Sequence, residues 1–146
     1  MAAVAEKYEV GLKEHNGDYQ DEGVLLAHPA LGITAMNVAP EYGTVETRAY
    51  LKLAEVEEML FNEGLISKKS ALKDCIRKES VASRRWEKWM TDDTVSRTTE
   101  ELMKDEEVIT VITDISGHYT FNNDAVRKEI ENMFSNLAEA GINAEE

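Results

Sequence analysis

The feature that most constrains this chain is the spacing between two short, strand-like runs. Residues 8–14, YEVGLKE, and residues 32–38, GITAMNV, are each closed by turn chemistry: HNGDYQDEG, with Gly17 and Gly23, follows the first, and Pro40 follows the second. Parallel neighbours need a crossover of about a dozen residues or more, which a hairpin does not. The stretch from 15 to 31 meets that minimum, so the expectation is an adjacent parallel pair with a loop and a short helical piece between them. The largely apolar 32–38 run suits a strand covered on both faces.

Helical periodicity takes over after Pro40. Thr44 reads as an N-cap, and Val45, Ala49, Leu53, Val56 and Leu60 recur every three or four residues, which predicts one buried face on a long helix ending near Gly64. If Thr44 is the cap, the N–H groups of residues 45–47 are free for an anion, although Glu41 and Glu46 oppose one there. Ser67 can cap a further helix carrying Leu72, Cys75 and Ile76. The stretch 81–90 puts Trp86, Trp89 and Met90 on overlapping faces, with Arg84, Arg85 and Lys88 read as cations snorkelling over an aromatic cap of the core. The polar region 92–105 gives a weak helix signal. VITVIT at 108–113 has strong β preference, but six residues do not separate a strand from the buried end of a helix. Residues 114–123 read as loop. A final helix has Val126, Ile130, Met133, Phe134 and Leu137 as its apolar stripe, with Gly141 beyond it. No internal repeat or proline-rich linker divides the chain, so 1–146 reads as one unit, with 61–146 as a helical C-terminal extension.

Charge narrows the partners. With 29 acidic against 16 basic side chains, the net charge of −13 repels phosphate backbones, and nucleic acid is not an expected partner. No apolar run approaches the length of a membrane span, and a lone Cys75 offers no internal disulfide, so a cytoplasmic setting is expected.

Two polar clusters follow the strand candidates, where parallel strands deliver side chains to a crevice. The first comprises Lys13, Glu14, His15, Asn16, Asp18 and Tyr19. Glu14 and His15 are adjacent and would face opposite sides of a regular strand, so they do not form a metal pair. His15 can ligate zinc, act as an acid or base, or be a hydrogen-bonded corner. Asp18 and Tyr19 can orient a sugar hydroxyl or simply serve the turn. The second cluster is Asn37, Glu41 and Tyr42. Nucleotide loops, HExxH, CxxC and a serine nucleophile elbow are absent from the sequence.

The runs KEHNGDYQDEG at 13–23 and GITAMNVAPEYGTVETRAYLKLAEVEEML at 32–60, with a looser fit at 117–137, resemble the non-catalytic subunit family of the tagatose-bisphosphate aldolases. The resemblance implies an α/β fold, the C-terminal portion of a TIM-type (β/α) barrel, with 8–14 and 32–38 as its last two strands. A whole barrel needs about 250 residues, so this chain would supply only part of one. The implied activity is that of a lyase in carbohydrate metabolism, or its accessory subunit, acting on ketose bisphosphates. The implied catalytic residues are His15, Asp18 and Glu14, and the substrate-binding residues Asn16, Tyr19, Asn37 and Glu41. A divalent metal such as zinc would have His15 as its candidate ligand here, with the other ligands elsewhere, since the remaining histidines are His28, read as structural, and His118. Implied partners are a sugar or sugar phosphate, and another barrel-forming chain, a catalytic aldolase subunit or further copies of this chain. The chain departs from the family at Ala39, in place of a glycine, and at Glu41–Thr44, which make the pocket more acidic and less suited to phosphate. The alternative is a small α+β accessory domain, a non-enzymatic interaction or stabilising module.

Overall fold

The computed structural model describes residues 1–142, and its compact units are Met1–Tyr42 and the chain from Gly43 onward. The first opens with a short helix, α1 (Ala2–Lys7), before strand β1 (Leu12–Glu14). Helix α2 (Glu22–Ala27) and a 3₁₀ turn at Pro29–Leu31 then lead to strand β2 (Ile33–Met36). Asp21 starts α2 by accepting the Val24 N–H at 2.9 Å. Strands β1 and β2 pair in parallel, Leu12 opposite Ile33 and Glu14 opposite Met36, with a register irregularity between Leu12 and Lys13. Gly17 follows β1 in close contact with β2: a Cβ there would lie 2.0 Å from Met36 Sδ.

The strand pairing agrees with the spacing argument, but the barrel does not stand. The described residues contain one open sheet of two strands, three and four residues long. The third β-rich run, VITVIT, is helical. Asp105 caps it by accepting the Val108 N–H at 3.1 Å, Glu106 and Glu107 occupy its first turn, and Ile109, Ile112 and Ser116 bury one face. Capping and burial thus override β-branched propensity, and among the described residues no strand is left to extend the sheet.

Helix α3 (Pro40–Asn62) begins at Pro40 rather than at Thr44. Proline suits the first helical position because its missing N–H is not needed there. Thr44 therefore lies inside the helix, buried, and residues 45–47 are not a free first turn. Of the expected face, Leu53, Val56 and Leu60 are partly buried against the core, but its first two positions are not. Val45 is 56% exposed and Ala49 is exposed, whereas Gly43, Thr44, Thr47, Ala54 and Glu57 are buried. Thr47 is tolerated inside because its hydroxyl donates to the Gly43 carbonyl at 2.7 Å.

The second unit continues with α4 (Leu72–Ser83), a 3₁₀ turn at Glu87–Trp89, α5 (Asp92–Ser96), α6 (Thr99–Met103), α7 (Glu106–Ser116), a 3₁₀ turn at Gly117–Thr120 and α8 (Asp124–Glu139). Helix α4 is central, packing against α6, α7, α8 and the 117–120 turn. One apolar cluster joins Ala54, Leu72, Ile76, Val126, Met133 and Leu137. The other joins Val81, Trp86, Leu102, Ile109 and Ile112. Gly43 and Gly117 allow close packing: a Cβ on Gly43 would meet the His118 ring at 2.4 Å, and one on Gly117 would meet Thr47 Cγ2 at 2.5 Å.

Candidate functional site

The strand-end cluster of the first unit is assembled largely by backbone capping. Asp18 Oδ1 accepts the N–H groups of Ala39 at 3.0 Å and Glu41 at 2.9 Å, closing the start of the helix that begins at Pro40. In return, Glu41 Oε2 accepts the Tyr19 N–H at 2.7 Å. The two carboxyl groups therefore clamp the turn at 18–19 to the segment at 39–41, in the reciprocal manner of a capping box spread across sequence. Asn16 and Tyr19 sit in the left-handed region at φ 63° and 60°, which holds this turn tight. The backbone of Asn37 completes it, accepting the Gly17 N–H at 2.9 Å and donating to the Glu14 carbonyl at 3.2 Å.

Glu14 points elsewhere. Its Oε1 accepts from Gln20 Nε2 at 2.8 Å, and its Oε2 lies 3.1 Å from Nε2 of buried His28, an ion-pair approach without hydrogen-bond alignment. His15 is exposed, its Nδ1 2.9 Å from Asn16 Oδ1. Glu14 thus meets His28 and Gln20, Asp18 meets Glu41, and His15 meets Asn16. The acidic and imidazole groups are distributed among local structural contacts. His28, read from its loop position before Pro29 as structural, has that role as the buried partner of Glu14.

Among the described residues, no group of three or more His, Cys, Asp and Glu side chains is placed to hold a metal ion. The zinc expectation fails on this donor geometry, and with it the metal-assisted aldol cleavage, because that chemistry needs about three protein ligands around the ion. The lyase and aldolase readings are corrected accordingly. Among the described residues, too, no helix is long and apolar enough to cross a membrane.

The second unit holds polar constellations that the sequence did not mark. Glu57, 1% exposed on α3, accepts three hydrogen bonds: from Ser70 N at 2.8 Å, Ser70 Oγ at 2.6 Å and Asn136 Nδ2 at 2.6 Å. Glu129 and Glu139 of α8 take the Ala71 N–H at 2.7 Å and the Ser67 N–H at 3.3 Å. Carboxyl groups from two helices thereby satisfy the backbone leading into α4, whose own N-cap, Ala71, has no capping side chain. Beside them lies a groove of about 240 Å³ in which Lys69 is ion-paired with Glu58. At the opposite end of α4, Trp86 is fully buried, its Nε1 donating to the Val81 carbonyl at 3.1 Å, whereas Trp89 is half exposed and does not join the core cap.

No protein-family model, curated protein or solved structure matches the chain.

Proposed function

We propose that the chain is a non-catalytic interaction module whose Met1–Tyr42 unit docks onto another protein surface, a partner chain or a further copy of itself. The observation that supports this reading is the amount of apolar surface this unit leaves uncovered. Its buried residues are Gly17 and His28, while Val4, Tyr8, Val10, Val24, Leu25, Leu26 and Leu31 are exposed, Leu26 to 74%. Units of about 40 residues or fewer usually need metals, disulfides or association to be stable. A two-stranded sheet also presents unpaired N–H and C=O groups on its outer edges, which soluble proteins cover. The polar residues of the strand ends fit the same reading, since capping and pairing occupy them.

Light scattering combined with hydrogen exchange tests the proposal. The expected result is a mass above the 16.4 kDa of one chain, or strand-edge amides of β1 and β2 that exchange freely until a partner binds. Leu26→Asp should abolish the association without changing the helical content. A mass of one chain with every strand amide protected would refute the proposal.

A further inference from the structure

Helix α4 is capped at its C-terminus by Arg84, a non-glycine residue in the left-handed conformation at φ 54°, where glycine is the usual occupant. The segment it launches is built on Trp86, the largest fully buried side chain of the unit. Arg84 is held in place, its guanidinium donating to the Val95 carbonyl at 3.0 Å and pairing with Glu87. The next two cations are placed differently. Arg85 lies 4.7 Å from the centroid of Tyr119, and Lys88 lies 4.0 Å from that of Trp89. Neither has a carboxylate partner among the described residues. Both rings are accessible, Trp89 to 50% and Tyr119 to 42%. Together they line an open groove of about 330 Å³.

We propose that this groove is a docking site for an acidic peptide segment of a partner protein, separate from the apolar surface of Met1–Tyr42. Charge complementarity carries the choice of occupant. On a chain of net charge −13, two uncompensated cations stacked on exposed aromatic rings form a local site for carboxylates, and the ring faces accept apolar or aromatic side chains of the same segment. A nucleic-acid strand fits less well: stacking on Trp89 and Tyr119 is available, but its backbone carries a charge at every nucleotide and would set phosphates beside Glu87, which also lines the groove, whereas a peptide can space its carboxylates to meet Arg85 and Lys88 and turn uncharged side chains toward Glu87. The buried Trp86 and the anchored Arg84 hold the segment rigid, so the cations need little reorganisation to bind.

Fluorescence anisotropy of a labelled peptide of alternating glutamate and tyrosine, titrated with the full chain, tests the site. Arg85→Ala/Lys88→Ala and Trp89→Ala/Tyr119→Ala should each weaken binding about tenfold. Lys68→Ala/Lys128→Ala removes the same charge from exposed positions outside the groove and should change binding less than about twofold. Circular dichroism confirms the fold of each variant, and Arg85→Glu, a surface change, keeps the test valid if the aromatic pair disturbs packing. Absence of saturable peptide binding, an equal loss in the control variant, or tighter binding of a thymidine oligomer of matching length would each overturn the proposal.

Discussion

Replacing Glu57 tests whether the second unit depends on one buried polar junction. In Glu57→Ala, the Ser70 N–H and the Asn136 amide both lose their acceptor, and stranding a buried donor costs about 1–3 kcal/mol. The removed side chain also leaves a void between α3, the 70–71 segment and α8, which adds to the loss. Together these predict a destabilisation of roughly 3–6 kcal/mol, a large share of the stability of a small domain. Glu57→Gln should behave differently. Its amide oxygen can take over both contacts of Oε1, and its NH₂ group faces Ser70 Oγ, which already accepts a long hydrogen bond from Leu72 N–H and can reverse its role. The expected cost is about 1 kcal/mol or less. Urea unfolding followed by the emission of buried Trp86 measures both, and a double-mutant cycle with Asn136→Ala should return a coupling of about 1–2 kcal/mol. A Glu57→Ala midpoint within experimental error of wild type, or a glutamine variant as unstable as the alanine variant, would refute the reasoning.

Asp18→Ala should destabilise the first unit by about 1–2 kcal/mol, the cost of an N-cap, and speed hydrogen exchange at the Ala39 and Glu41 amides; unchanged exchange would refute the clamp. Gly117→Ala forces a methyl group to within 2.5 Å of Thr47 and should cost about 1–3 kcal/mol, more than Gly64→Ala, where no heavy atom lies within 4 Å and only the positive φ is strained; thermal melts of the two variants decide the order. His118 is held below its ordinary value of 6.5 by burial and, against the opposing pull of Glu46, by Arg85. The unfolded chain therefore binds this proton at a higher pH than the folded chain, so the imidazole's contribution is fully present above about pH 6.5 and is lost as pH falls through the lower folded value. His118→Phe should flatten the fall in melting temperature between about pH 7 and pH 5, and identical slopes in both proteins would refute it.

The parts of the fold legible in the sequence were those set by boundaries. Gly17 and Pro40 bracketed the strands, and the apolar periodicity of α4 and α8 located those helices. The face of α3 was legible at Leu53, Val56 and Leu60 but hidden elsewhere along the helix, because Gly43, Thr44, Thr47 and Glu57 occupy buried positions while Val45 faces water. Hydrophobicity ranks these residues the wrong way round, since it does not see a threonine hydroxyl bonded to its own helix or a glutamate that caps a neighbour. Residues 108–113 misled through β-branching, although Asp105, Glu106 and Glu107 ahead of them already spelled a helix start. At the strand ends, Asp18 and Glu41 read as candidate site residues, but their reciprocal hydrogen bonds join residues far apart in the chain, and no local pattern distinguishes such a clamp from a binding site. The resemblance to the aldolase subunits has the same weakness, because short runs of sequence do not reveal which neighbours already hold Glu14, His15 and Asp18.

The carboxyl groups around the entrance to α4 also bear on how the second unit assembles. Glu57 and Asn136 meet across 79 positions of sequence, Ser67 and Glu139 across 72, and Ala71 and Glu129 across 58. The segment leading into α4 therefore cannot complete its hydrogen bonding until α3 and α8 have arrived, and the loop connecting them must close first. Such closure is entropically slow compared with helix formation itself. Folding of this helical unit should thus be limited by the docking of its last helix, α8, and unfolding should release α3, α4 and α8 together, with protection at the Ser70 and Ala71 amides lost only when the whole unit opens.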